Sequence, residues 1–338
     1  MRRILVLLFA VGLVVGCGPG PTPTPDLVAT QVAVMDAAAA TLTARVPADT
    51  ATATAALSPV PTEVASLTAT PIPTTRPPMP TQPLPTAGPS LGTFCVVGVH
   101  PDDVLNVRAA PGVDERIVGT IPYDGRDVEV HAGGQQVGES SWVPVRYGKV
   151  SGWANSNYLA RQVGNVSDAI AARAAQAILA LRDHDIRQLT GLVHPVKGVT
   201  FSPYTYLRPL QGAPGEADLV FSPAQLSGLW TDPTVYHWGT YDGSGEPIDL
   251  TFREYYGKFV YDVDFAQPDV VGFNETVGQG NTINNIATVY PNAVTVEYHF
   301  DGFDPQYAGM DWRSLRLVLE EMDGTWYLVG IVHDQWTI

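Results

Sequence analysis

The sequence predicts a multidomain chain: a small all-β barrel followed by an α+β domain with a curved antiparallel sheet, carried on an extended leader. Three observations predict it. Fifteen of the 29 prolines lie between Gly18 and Gly92, and a stretch so rich in Pro builds neither sheet nor long helix. From Phe94 to Arg161 short β-branched runs alternate with Gly, Pro and Asp, the pattern of a small all-β unit. After Val163 an amphipathic helix opens, and the chain closes on three strand-forming runs. The expected divisions are 1–16 for a signal peptide, 17–92 for a tether, 93–162 for the barrel and 163–338 for the α+β domain.

Arg2 and Arg3 precede Ile4 to Val15, a run of twelve uncharged, mostly apolar residues. That is short of the roughly 20 needed to cross a bilayer and has the charged and apolar regions of a secretory signal. Leu13-Val14-Val15-Gly16-Cys17 then resembles the lipobox of bacterial lipoproteins. The resemblance implies cleavage before Cys17, a diacylglycerol on its thiol and an acylated amino terminus. It makes the chain extracytoplasmic, anchored in membrane lipid, and stable anchoring takes more than one acyl chain. Within the tether only Asp26 to Arg45 has helical spacing, through Leu27, Val28, Val32, Met35, Ala39 and Leu42.

Charge narrows the partners. The net charge is −15, with 9 basic against 22 acidic residues from Val163 onward. That argues against nucleic acid, whose phosphates are held by Lys and Arg. Two cysteines make neither a disulfide framework nor a Cys-rich zinc site, and Cys95 reads as a small inert hydrophobe.

In the barrel the expected strands are Cys95 to Val99, Leu105 to Arg108, Ile117 to Ile121, Asp127 to His131, Trp142 to Tyr147 and Gly152 to Ala154. Leu105-Asn106-Val107-Arg108-Ala109-Ala110-Pro111-Gly112, Val118-Gly119-Thr120, Val128-Glu129-Val130, Trp142-Val143-Pro144-Val145-Arg146-Tyr147, Gly152-Trp153-Ala154 and Tyr158-Leu159 follow in order. The series resembles the bacterial Src-homology-3 domain of type b, with a longer loop from Gly133 to Ser141. The resemblance implies an envelope protein that binds peptidoglycan or a wall peptide. Tyr123, Trp142, Tyr147, Trp153 and Tyr158 are the residues for ligand contact, since aromatics give large contact area at low entropy cost. Packing explains the two tryptophans as well, because so small a domain needs every large side chain it can bury.

The second unit opens on Ser167 as N-cap and Asp168 in the first turn. Ile170, Ala174, Ala177, Ile178 and Leu181 make one stripe, and a short turn follows through Ile186, Leu189 and Leu192 to His194-Pro195. Phe201 to Leu210 reads as a loop and Leu219 to Phe221 as a strand. Ser222-Pro223 caps a helix to Trp230, and Thr251-Phe252-Arg253-Glu254 is a capping box. Ala293 to Phe300, Ser314 to Glu321 and Thr325 to His333 are strands, the last two joined at Asp323-Gly324. Helix, His-Pro and terminal sheet together resemble the nuclear-transport-factor-two-like cone. The run from Trp326 to Trp336 is similar to the ending of uncharacterised bacterial envelope proteins. A cone implies a pocket between helix and sheet for a small ligand or an envelope partner, with Trp238, Tyr255, Tyr298, His299, Asp311 and His333 as candidates.

Catalytic motifs are scarce. The sequence has no Gly-x-Ser-x-Gly, Ser-x-x-Lys, His-Glu-x-x-His or phosphate-cradling loop, and Gly278-Gln279-Gly280 lacks the third glycine of a dinucleotide fingerprint. Asp242-Gly243-Ser244-Gly245-Glu246 reads as a Gly-rich turn, because Pro247 and Arg253 stand where a calcium loop needs Gly and Glu. His299, Asp301, Asp304 and Asp311, with His333 and Asp334, could serve as a general base or hold a divalent metal, or form an acidic loop around a core histidine. The expectation is a non-catalytic, cofactor-free envelope protein. A wall hydrolase or transferase acting through residues 163–338 and a purely structural assembly accessory are the alternatives.

Overall fold

The computed structural model describes residues 88–208 and 216–337, all of them in the second of two units, Met1–Pro73 and Thr74–Ile338. Cys17, the expected signal peptide, the helix expected at Asp26 to Arg45 and the tether as far as Ala87 lie outside the described residues. The first strand, β1 (Ser90–Val96), starts within the expected tether, with Ser90 opposite His131. It is followed by β2 (Val104–Arg108), β3 (Ile117–Pro122), β4 (Val128–His131), β5 (Gln135–Val137), β6 (Ser140–Tyr147), β7 (Val150–Asn155) and β8 (Leu159–Gly164). A 3-10 turn, Ser156–Tyr158, precedes β8.

The chain continues through α1 (Asp168–Arg182), α2 (Ile186–Leu192), β9 (Val199–Ser202), β10 (Leu219–Phe221), α3 (Pro223–Leu229), β11 (Val235–Thr240), β12 (Pro247–Thr251), α4 (Phe252–Phe259), β13 (Val270–Phe273), α5 (Ile286–Val289), β14 (Val294–Phe300), β15 (Arg313–Met322) and β16 (Thr325–Gln335). Local signals set the helix starts. Ser222 with Gln225 and Thr251 with Glu254 form complete capping boxes at α3 and α4, and Asp185 accepts the Gln188 amide at α2.

A barrel followed by an α+β cone is not what forms. Fourteen strands make one mixed sheet in the order β10-β9-β16-β15-β14-β13-β8-β1-β4-β6-β7-β2-β3, with β5 joined to β6, while β11 and β12 pair separately. The path runs from β10 to β3 without returning, so no barrel closes, and only 19% of the structure is helical. The physical reason is β8. One of its edges pairs antiparallel with β1 and the other parallel with β13, so the strand that ends the first sheet segment begins the next. The pairing of β16 with β9 is also parallel, which makes the sheet mixed and not antiparallel. The expected division after Gln162 falls inside β8.

Apolar packing follows this layout. Val96, Leu105, Val107, Ile121, Val128, Val130, Val145 and Ala154 form a cluster between the first strands. A larger one joins α1 and α4 to Val296, Tyr298, Leu315, Leu317 and Ile331 on one face of the terminal strands. Leu207, Ile286 and Tyr290 cover Val318 and Val332 on the opposite face. The terminal sheet is therefore buried on both sides.

Candidate functional site

Two groups of residues hold the chemistry, one on the first strands and one in the terminal sheet. In the first, the pleat of β6 sends Val143, Val145 and Tyr147 to the apolar cluster, where Ala154 and Val150 join them. Trp142, Pro144 and Arg146 fall on the other face, opposite Asn155, Trp153 and Ser151. Trp142 and Trp153 stand outside that cluster yet are only 3% and 6% exposed. The Trp142 indole N–H has no acceptor among the described residues, and an unmade hydrogen bond of this kind costs about 1–3 kcal/mol.

Tyr158 is the exposed member of the five, at 36%. It sits on the 3-10 turn, which Asn155 caps by accepting the Asn157 amide and which Ser156 ties to Ser141 of β6 at 3.0 Å. Tyr147 is half-buried against the cluster. Tyr123 is turned toward α1, where its hydroxyl accepts from Gln176 at 3.4 Å. The structure thus places Trp142 and Trp153 on one face of β6 and β7, the turn bearing Tyr158 between β7 and β8, and Tyr123 toward α1. The long loop before Trp142 becomes β5, with Gln135 opposite Trp142.

Behind these strands, two clefts lie between β1 and α1, each about 20 Å³ in volume and both bordered by Val96, Val97 and Tyr298. That is room for a water, not for a sugar or a peptide. Cys95 borders one of them; burial pushes its thiol up to about 12, which leaves it protonated and unreactive.

The second group follows from strand register. His299 faces Ser314 and Ser314 faces Asp334, while Glu297 faces Arg316, so these five side chains share one face of β14, β15 and β16. Arg316 is 1% exposed. It donates to both oxygens of Glu297 at 3.0 and 3.2 Å, to Asp334 at 2.6 Å, to Thr205 and to the Gly278 carbonyl. Glu297 also accepts the Val277 and Gly278 amides. Burial raises the Asp334 carboxyl, and Arg316 opposes it. The sequence reading missed Glu297 and Arg316, although charged residues at alternate positions of apolar strands were the available signal.

His333 lies on the opposite face, because it pairs with Leu315. Fully buried, its ring meets Phe259 edge-on and lies 3.3 Å from Asp262. Burial works against ionising Asp262, but His333 and Arg313 hold its carboxyl below the usual range. The pleat therefore separates His333 from His299 and Asp334. Asp311 accepts the amides of Phe303 and Asp304, and Asp304 caps the turn at Pro305, so both close their own loop.

An Asp–His–Ser series does occur, with Asp301 3.3 Å from His299 Nε2 and Ser314 2.9 Å from Nδ1. Ser314 is wholly buried and donates to Glu297 at 2.6 Å, so its hydroxyl is spent within the sheet and is not poised to attack a substrate. Among the described residues no three His, Cys, Asp or Glu side chains are grouped to hold a metal ion. Trp238 and Tyr255 stack on each other in the core with centroids 3.7 Å apart, Trp238 donating to the Leu250 carbonyl. The pocket between helix and sheet implied by a cone is thus filled by these rings and their neighbours. Of the six candidates for that pocket, Tyr298 borders a cleft, His299 belongs to the buried network and the other four are packed as described.

The family comparison fits the first group. The family model of the bacterial SH3 domain matches residues 103–160, so the chain carries a bacterial SH3 domain there. No curated protein and no solved structure matches the chain.

Proposed function

We propose that the protein is a lipid-anchored cell-envelope protein whose SH3 domain binds a peptidoglycan peptide. The match over residues 103–160 carries the reading, since bacterial domains of this kind commonly bind peptidoglycan or peptides. Tyr158, exposed on the turn after β7, offers a contact to a ligand, and the aromatic rings Trp142 and Trp153 on β6 and β7 support that surface from beneath. Arg2, Arg3, the apolar run and Cys17 support secretion and lipid attachment, and the Pro-rich tether gives the domain reach away from the membrane. In this reading residues 163–338 are a rigid support fused to the domain through β8.

Co-sedimentation with insoluble peptidoglycan tests it. The chain from Gly18 to Ile338 should pellet with the wall and release nothing into solution, and Tyr158→Ala should bind several-fold less at unchanged melting temperature. Release of wall fragments would favour a hydrolase; equal pelleting of Tyr158→Ala would remove the aromatic face from the account.

A further inference from the structure

Ser314 Oγ lies 2.6 Å from Glu297 Oε1 and 2.9 Å from His299 Nδ1. Two oxygens so close, one of them a carboxylate's, need a proton between them, and the serine has only one. Ser314 therefore donates to Glu297 and accepts from His299, whose Nδ1 must carry hydrogen. The other ring nitrogen, Nε2, is 3.3 Å from Asp301 Oδ1. In neutral His299 that nitrogen is a lone pair facing a carboxylate; in the imidazolium it is a donor. His299 is 6% exposed and the Asp301 side chain 60%, so the contact sits where the buried ring meets the edge of the solvent.

Asp301 begins an eleven-residue loop that ends at Asp311. Asp311 closes the loop by accepting two of its amides, and Phe303 and Met310 stand exposed on it. We propose that His299 is a pH-sensitive latch: the protonated imidazole ties Asp301 to the sheet and holds the loop from Asp301 to Asp311 closed, and the neutral imidazole releases it.

The surrounding charges fix the direction. Glu297 lies 4.0 Å away on the same strand, and Arg316 on β15 is engaged by Glu297 and by Asp334 of β16. Asp269, ahead of β13, accepts the Asp301 amide at 3.0 Å. Arg161 of β8 is 3.7 Å from Asp301, and the Trp312 ring lies beside the imidazole. Burial pushes His299 below its ordinary value, against the pull of Glu297 and Asp301. The latch thus closes in mild acid, below the usual histidine range of about 6.5.

Amide hydrogen exchange of the full chain, read on the peptide covering 301–311 and corrected for the intrinsic pH dependence of exchange, tests the latch. Between about pH 7.5 and about pH 5, protection of this peptide should rise several-fold in the wild type. It should stay flat in Asp301→Asn, because an amide meets either form of the ring. Asp301 is 60% exposed at its side chain, so this variant keeps the fold. An equal pH response in Asp301→Asn, or none in the wild type, would overturn the proposal.

Discussion

Single residues in the terminal sheet carry more of the stability than their surface neighbours. Arg316 answers two buried carboxylates, so Arg316→Met leaves both charges without a buried countercharge. Its loss should lower the unfolding free energy by about 3–5 kcal/mol, read by denaturant titration. Gly278 is fixed by close approach: a Cβ there would stand 2.5 Å from Ser314 Oγ and 2.9 Å from His299 Nδ1. Read in sequence as an incomplete dinucleotide motif, this glycine instead lets a loop cover a polar network. His194 sets a pH dependence. Its Nδ1 accepts the Val196 and Lys197 amides, which requires the neutral ring. Burial, reinforced by Lys197, holds its pKa below the unfolded value. The unfolded chain therefore takes up the proton first, so the contribution is present above about pH 6.5 and is lost as pH falls through the folded value. Melting temperatures measured down this range should fall in the wild type, and fall less in His194→Gln. At this scale the strand positions of Trp142 and Trp153 were legible because each stands in a β-branched run of its own. The Glu297–Arg316 pair was not, because its partners lie on different strands and only register joins them.

Among the elements, β8 decides the architecture. Arg126 and Asp127, in the turn before β4, bind across it: Arg126 to Asn165, the Val166 carbonyl and Asp168, and Asp127 to Gln162 and Asn165. The SH3 strands and the terminal sheet should accordingly unfold together. Thermal melts followed by far-ultraviolet circular dichroism and by tryptophan emission should coincide for the wild type. Two separated transitions would show that the SH3 strands are independent of the rest. The helices α1 to α4 and the hairpin at Asp323-Gly324 could be read from sequence because caps and turns are local signals, whereas α5 (Ile286–Val289), with no side-chain cap, could not. The parallel pairings of β8 with β13 and of β9 with β16 could not, since nothing within Val270–Phe273 or Val199–Ser202 names a distant partner. Val270–Phe273 is buried throughout, so it lacks the alternation that marks a half-exposed strand. Without those pairings the first strands read as a closed barrel and the last as a separate cone.

At the scale of the whole molecule, charge is unevenly distributed. The acidity lies in the part from Val163 onward, which suits a solvated support. Acyl labelling should mark the full-length chain and not Cys17→Ala; equal labelling of the variant would remove the membrane anchor. The central claim is that the SH3 face, and not the terminal sheet, meets the wall. Seven tryptophans report on it: Trp142 and Trp153 on the SH3 strands, and Trp230, Trp238, Trp312, Trp326 and Trp336 beyond them. Titration of the nitrogen-15-labelled chain with soluble wall peptide, followed at the indole N–H resonances, should shift Trp142 and Trp153 and leave the other five in place. Shifts confined to the five tryptophans of the carboxyl-terminal part, or no shift at saturating peptide, would contradict the account.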